Sequence, residues 1–264
     1  MTTVKAMSDY IEGIVISLTF RTGANITTAP KLALFTTNPT DANTGTEVSR
    51  GGYVRQPLPL FTKNGTYFQN SVKITFPEAT ENWGIITHIG IMSATTGGSL
   101  YFHAQLERVC DMQEGDIFEI GVGKLRVSLY GAYGSEYIKD KFLNLLLNAN
   151  YYTFNDPLTY LGLLTNSGEV SGKNYARKKV EKSQWSETVE ETEEGGHLIY
   201  NTNSYNSVVF NKASDDWGEI TRVGIYDAAT GGHCIYIANL KYPQYIDDED
   251  RIKFPSKTLR IMIT

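Results

Sequence analysis

Two pairs of side chains stand where carboxylates could share acid–base work. Glu81 precedes Asn82 and Asp215 precedes Asp216, each directly ahead of a Trp-Gly. Glycoside hydrolysis requires two carboxyl groups facing one bond. Asn82 breaks the first pair, and neighbouring residues on an extended chain point to opposite sides. Acidic residues crowd again in DDEDR, Asp247 to Arg251, the composition of a calcium-binding turn, but the matching stretch QEGDI holds fewer. The histidines are His88, His103, His197 and His233; none lies in an HExxH pattern, where two imidazoles on one helix face would ligate zinc. IGVGKL, from Ile120, has a glycine pair and a lysine without the spacing of a phosphate-binding loop, and no GxSxG elbow occurs. No catalytic residue, metal ligand or cofactor-binding residue is therefore assigned, and the expectation is a protein that is not an enzyme.

The acidic pairs belong to a longer sentence that the chain carries twice. WGIITHIGIMSATTGG begins at Trp83, and WGEITRVGIYDAATGG begins at Trp217. The correspondence runs without a gap to Leu129 and Ile263. Upstream, EVSRGGYVR from Glu47 matches EVSGKNYAR from Glu169, LALFTTN matches YLGLLTN, and YIEGIVISLTF from Tyr10 matches YIKDKFLNLLL from Tyr137. Repetition on this scale marks one structural unit used twice. The boundary falls in LYGAYGSEY, giving a first unit over 1–132 and a second over 133–264. Length differences collect in loops. The second copy gains an acidic insertion near 181–196, with glutamates at 187, 190, 191, 193 and 194, read as a solvated loop or hairpin tip.

The elements that must position these residues follow from periodicity. Ser135 suits an N-cap, and Ile138, Phe142, Leu145 and Leu146 keep helical spacing. Agreement between copies then predicts a helix from Ser8 as well. Short apolar runs separated by Gly, Pro and Asn follow in both copies, as strands do. The fold class expected is mainly β (α+β): two similar β-sandwich-like domains, each opening with one N-terminal helix. Thr-Gly-Gly between strands predicts a hairpin. The residues read as the fold's signature are Trp83, Gly84, Gly90, Gly97 and Gly98 with Tyr53 and Arg55. Their counterparts are Trp217, Gly218, Gly224, Gly231 and Gly232 with Tyr175 and Arg177. Each Trp is expected to lie over the Gly that follows it, with ligand stacking on an exposed Trp as the alternative. Where the sentences differ, as at His88 against Arg222 and Met92 against Tyr226, the copies are expected to meet different partners.

The formal charge of −5 over 264 residues lacks the basic footprint that a nucleic-acid backbone requires. Cys110 and Cys234 occupy unmatched positions in the repeat and are read as free thiols. No apolar run is long enough for a membrane span, and MTTVKAMSDY lacks the pattern of a leader. Neither a nucleic acid nor a membrane is an expected partner.

The order of blocks LALFTTNPT, GTEVSRGGYVR, ITFPEATENWG and THIGIMSATTGG resembles a family of tailed-bacteriophage tail-fibre and virion structural proteins. It covers 8–130 and returns, more weakly, over 135–264. The resemblance implies a non-enzymatic component of the virion, assembled in the host cytoplasm, that contacts other virion proteins as a tail fibre or adaptor or as a capsid decoration protein. An oligomer or symmetric assembly is expected with it. The alternative is a host-surface glycan-binding module anchored by Trp185.

Overall fold

A computed structural model describes residues 2–4, 6–7, 29–129, 136–148, 160–181, 185–191, 197–203 and 207–262. The chain divides into two compact units, both dominated by short antiparallel strands. The first holds β1 (Thr2–Val4), β2 (Ala6–Met7), β3 (Lys31–Phe35), β4 (Gln56–Pro57), β5 (Phe61–Asn64) and β6 (Tyr67–Asn70). It continues with β7 (Ile74–Glu78), β8 (Gly84–Met92), β9 (Leu100–Met112), β10 (Ile117–Ile120) and β11 (Leu125–Val127).

Five strands form the main sheet, in the order β2-β9-β8-β3-β4. The run KLALF becomes β3 because it lies inside this sheet, where Leu32, Ala33, Leu34 and Phe35 are all buried. Pro57 lies on β4 at the edge, where a missing N–H breaks no ladder. The smaller sheets are β1-β11-β6-β5 and β10-β7. Asn70, fully buried at the end of β6, ties them to the loops: its amide donates to Val72 O and Gly121 O and accepts from Leu125 N.

The chain then forms α1 (Glu136–Asn148). Phe142, Leu143, Leu145 and Leu147 are buried along it. Its residues from Asp140 onward group with the first unit, where Asp140 pairs with Lys63 on β5. The expectation of one helix opening each unit is corrected here. Among the described residues there is one helix, at the start of the second repeat; the helix expected from Ser8 falls outside them.

The second unit repeats the plan with β12 (Tyr160–Thr165), β13 (Gly168–Glu169), β14 (Lys178–Lys179), β15 (Trp185–Glu191) and β16 (His197–Asn203). It ends with β17 (Val208–Val209), β18 (Gly218–Tyr226), β19 (Cys234–Ile246), β20 (Lys253–Phe254) and β21 (Arg260–Met262). The central strand β12 takes the place of β3, flanked by β18 and β14. Strands β8 and β18 share the same burial pattern residue for residue. Both partner strands leave the ladder at the same point. Ile86 pairs Cys110 and His88 pairs Gln105, so residues 106–109 have no partner on β8; likewise Ile220 pairs Gln244 and Arg222 pairs Asn239, freeing 240–243.

The acidic insertion lengthens a hairpin that the first unit also has. Strands β5 and β6 are four residues each, and β6 pairs β11. Strands β15 and β16 are seven each, and β16 pairs β21, the counterpart of β11. Glu193 and Glu194 lie outside the described residues.

Candidate functional site

The sequence signature converges on one clasp, built twice. In the first unit Arg55 grips Glu47 with two parallel bonds, Nε to Oε1 at 2.7 Å and Nη2 to Oε2 at 2.6 Å. Its Nη1 donates to Ala94 O at 2.7 Å and Gly97 O at 2.6 Å, the carbonyls at the tip of the β8–β9 hairpin. Tyr53 donates its hydroxyl to Glu47 Oε1 at 2.9 Å and accepts from Leu34 N on β3 at 3.0 Å. The side chain of Arg55 is 6% exposed and that of Glu47 24%. A fork-shaped guanidinium suits this task because one planar group reaches a carboxylate and two carbonyls at once.

The second unit reproduces the set. Arg177 bonds Glu169 at 2.7 Å twice and donates to Ala228 O and Gly231 O at 2.7 Å each. Tyr175 donates to Glu169 Oε1 at 2.8 Å and accepts from Leu163 N at 2.9 Å. Behind each clasp, Trp83 and Trp217 meet Tyr53 and Tyr175 edge-on at 5.6 Å between ring centres. Phe76 and Phe210 stack on the same tyrosines.

Trp83 is 2% and Trp217 6% exposed, so neither offers a face to a sugar ring. The indole N–H groups donate to Gly51 O and Lys173 O, both at 2.9 Å. A Cβ at Gly51 would come within 2.8 Å of Trp83 Nε1, and Gly84 and Gly218 adopt φ of 84° and 80°, where a side chain is strained.

Gly90 and Gly224 make room for rings. A Cβ on Gly90 would be 2.7 Å from the Phe35 ring, and one on Gly224 would be 2.8 Å from the Tyr226 ring. Met92 and Tyr226 are therefore core residues, at 1% and 6% exposure, and the expectation that they face partners is corrected. Ala33, Phe35, Met92 and Leu100 cluster in the first core. In the second, register places Gly162, Leu164, Tyr226 and Cys234 at those positions. The larger Tyr226 is accommodated by losses around it, and it also lies under Arg177, 3.5 Å from guanidinium carbon to ring centre.

The electrostatics fit anchoring and not proton transfer. Burial pushes the Tyr53 and Tyr175 hydroxyls far above the ordinary phenol range, reinforced by the glutamate each one faces. For Glu169, burial raises the carboxyl, but hydrogen bonds from Arg177 and Tyr175 together outweigh it and leave the group below its usual range. Both arginines are raised by their glutamate bonds. Neutral phenol, carboxylate and guanidinium are thus locked together near neutral pH. Among the described residues no group of three His, Cys, Asp or Glu is placed to hold a metal, no helix is long and apolar enough to cross a membrane, and Cys110 and Cys234 are free.

What the clasp holds is a hairpin tip. Thr95, Thr96, Gly97 and Gly98 are exposed, as are Ala229, Thr230, Gly231 and Gly232. The glycines have φ between 59° and 74°, which closes the turn without side-chain strain.

One family profile, described as Podophage GP4 fiber I protein gp80, matches residues 6–128 and again residues 134–262. The chain belongs to this podophage fibre family. It is a non-enzymatic structural protein of a phage particle and works through protein–protein contacts. The fibre family's unit is present twice in it, and each match holds one clasp. No curated protein sequence matches the chain.

Within this fibre protein, Tyr53, Arg55, Trp83 and Gly97 meet at one clasp, and Tyr175, Arg177, Trp217 and Gly231 at the other. Glu47 and Glu169 were not singled out from sequence, although they complete both sites. Their signal was present: Glu, Tyr and Arg keep the same separations in both copies. Trp185 is elsewhere, at the start of β15, and its side chain lies outside the described set.

Proposed function

We infer that the clasped hairpins are the fibre protein's contact points with neighbouring virion proteins. The observation that carries this reading is the clasp: a buried Arg–Glu pair in each unit fixes a tip that contributes little to either core. The same A-x-T-G-G tip is kept while the core beside it is repacked. A tip held rigid in advance loses less entropy when a partner binds. Signature residues act in this reading as a frame, with Trp and Tyr behind the clasp and the glycines in the turn. Each repeat copy, 1–132 and 133–264, serves as one β-sandwich module. The protein assembles in the host cytoplasm and joins the tail of the particle as part of a symmetric assembly.

Incorporation into particles tests this. Thr95→Asp with Thr96→Asp, and separately Thr230→Asp, are expected to leave the melting temperature unchanged and to lower the amount recovered in purified particles at least tenfold. Normal incorporation of both would overturn the assignment. A copy number in the hundreds would move the protein from tail to capsid. Binding of host glycans that is lost on Trp185→Ala, with incorporation intact, would favour the glycan reading instead.

A further inference from the structure

Three apolar side chains are exposed together at one end of the first unit. Leu60, Val72 and Val122 are 66%, 54% and 59% exposed. They lie on separate loops, ahead of β5, ahead of β7 and after β10. Hydrogen bonds hold those loops against one another. A single amide nitrogen, Asn70 Nδ2, donates to Val72 O at 2.7 Å and to Gly121 O at 3.0 Å, so the backbones that carry Val72 and Val122 are neighbours. Ser71 donates its N–H and its hydroxyl to Leu60 O, at 3.1 and 2.6 Å, which brings in the third loop. Ile74 pairs Ile120 at the same end of the β7–β10 ladder. Asn70 is fully buried, so the patch stands on a fixed base. Single exposed apolar side chains are ordinary on a protein surface, but three on loops braced together mark a contact.

The second unit does not keep them. The matching ladders β7–β10 and β17–β20 set Asn206 and Ser256 at the places of Val72 and Val122. The fold is complete with polar residues there, so the valines answer to something outside it.

Charge describes that partner. Within four residues of the three lie Lys63, Lys73, Glu119, Lys124 and Arg126. Lys73 pairs with Glu119, and Lys63 with Asp140. Glu107 and Arg108, which share a groove with Lys124, add one charge of each sign. Lys124 and Arg126 are left in excess, Lys124 exposed and Arg126 over the Tyr67 ring at 4.4 Å to its centre.

We propose that Leu60, Val72 and Val122 form a docking patch for an apolar surface rimmed with carboxylates on a different virion protein. A second copy of this chain is the wrong partner, because two such patches face to face would bring Lys124 and Arg126 of both chains together. The proposal does not depend on the hairpin tips being contact points.

Particles grown with variants in place of the unaltered protein test it. Leu60→Ser with Val72→Asn and Val122→Ser, the last two being the second unit's residues, should leave circular dichroism and the melting temperature unchanged. Recovery of this triple variant in purified particles should fall about tenfold or more. Lys124→Glu should lower recovery further than Lys124→Thr, which installs the second unit's residue. Normal recovery of the triple variant, or equal recovery of the two Lys124 variants, would overturn the proposal. Ile85→Glu, which places the second unit's Glu219 at another exposed site, should leave recovery unchanged; an equal loss there would also overturn it. The photo-reactive residue p-benzoylphenylalanine in place of Val122, in an otherwise unaltered chain, should cross-link in intact particles to a protein other than this one. A cross-linked dimer of this chain, or no cross-link at all, would overturn the assignment even if the tips are shown to bind.

Discussion

Replacing Arg55 by Met removes the guanidinium and keeps the bulk of the side chain. The structure sets the cost. The Arg55 side chain is 6% exposed and Glu47 24% exposed, so the change strands a carboxylate that water reaches only partly. Breaking a buried pair from one side costs about 3–5 kcal/mol, and the residual exposure of Glu47 points to the lower end. The Ala94 and Gly97 carbonyls also lose their donor. Lying at an exposed tip, they can turn to water, adding about 0.5–1 kcal/mol. Arg55→Met should therefore destabilise the first unit by about 3–4 kcal/mol.

Urea unfolding followed by Trp83 fluorescence, with Trp185 and Trp217 replaced by Phe, reads that unit. Glu47→Leu alone should cost a similar amount, because it strands the cation. The double variant should cost about 2 kcal/mol less than the sum of the singles, since it leaves no buried charge. A loss below about 1 kcal/mol for Arg55→Met, or strictly additive single changes, would refute the clasp as the element holding the tip. The second unit supplies an internal repeat. Arg177 is 8% and Glu169 24% exposed, close to the first pair, so Arg177→Met should match Arg55→Met within about 1 kcal/mol.

Glu169 is held below its ordinary range, so between its folded value and the usual glutamate value near about 4.3 the unfolded chain binds more protons. Its stabilisation is complete above that window and is lost as pH falls through the folded value; Glu169→Gln should flatten the acid limb of the second unit's stability profile. Asn70→Ala removes the partners of Leu125 N, Val72 O and Gly121 O, and at about 1–3 kcal/mol per buried group left unpaired it should lower first-unit stability by roughly 3 kcal/mol in the same urea assay. Met92→Tyr alone overfills the space beside Phe35 and should cost about 1–3 kcal/mol, whereas Met92→Tyr with Ala33→Gly, Phe35→Leu and Leu100→Cys should recover most of that loss.

Much of the fold was legible because repetition doubled every weak signal. KLALF and YLGLLT each read as a short apolar run, and their shared place in two copies fixed them as central strands. The Thr-Gly-Gly turns declared the β8–β9 and β18–β19 hairpins. Arg55 and Arg177 stood out as retained charges, but their partner and purpose did not, because a carboxylate eight residues away, across an intervening loop, has no periodic relation to them. The partner of the Trp83 indole was hidden for a related reason: its N–H reaches the Gly51 carbonyl, 32 residues away on another loop. The insertion near 181–196 reads as a solvated loop or hairpin tip, and the seven-residue length of β15 and β16 was not legible in its acidic composition.

The two copies also show which differences bear on partners. Met92 against Tyr226 changes together with Ala33 against Gly162, Phe35 against Leu164 and Leu100 against Cys234, all around one buried space. Compensation of that kind is settled inside the core and carries no message to a neighbour. Exposed positions behave otherwise. On the strand excursions LERV of the first unit corresponds to LKYP of the second, so Glu107 is replaced by Lys241 and Val109 by Pro243, and on the next strand Glu119 is replaced by Lys253. Nothing in either core requires those reversals of sign. Proline on the second unit's excursion also resists strand addition there. One scaffold thus presents unlike surfaces at matching places in its two copies.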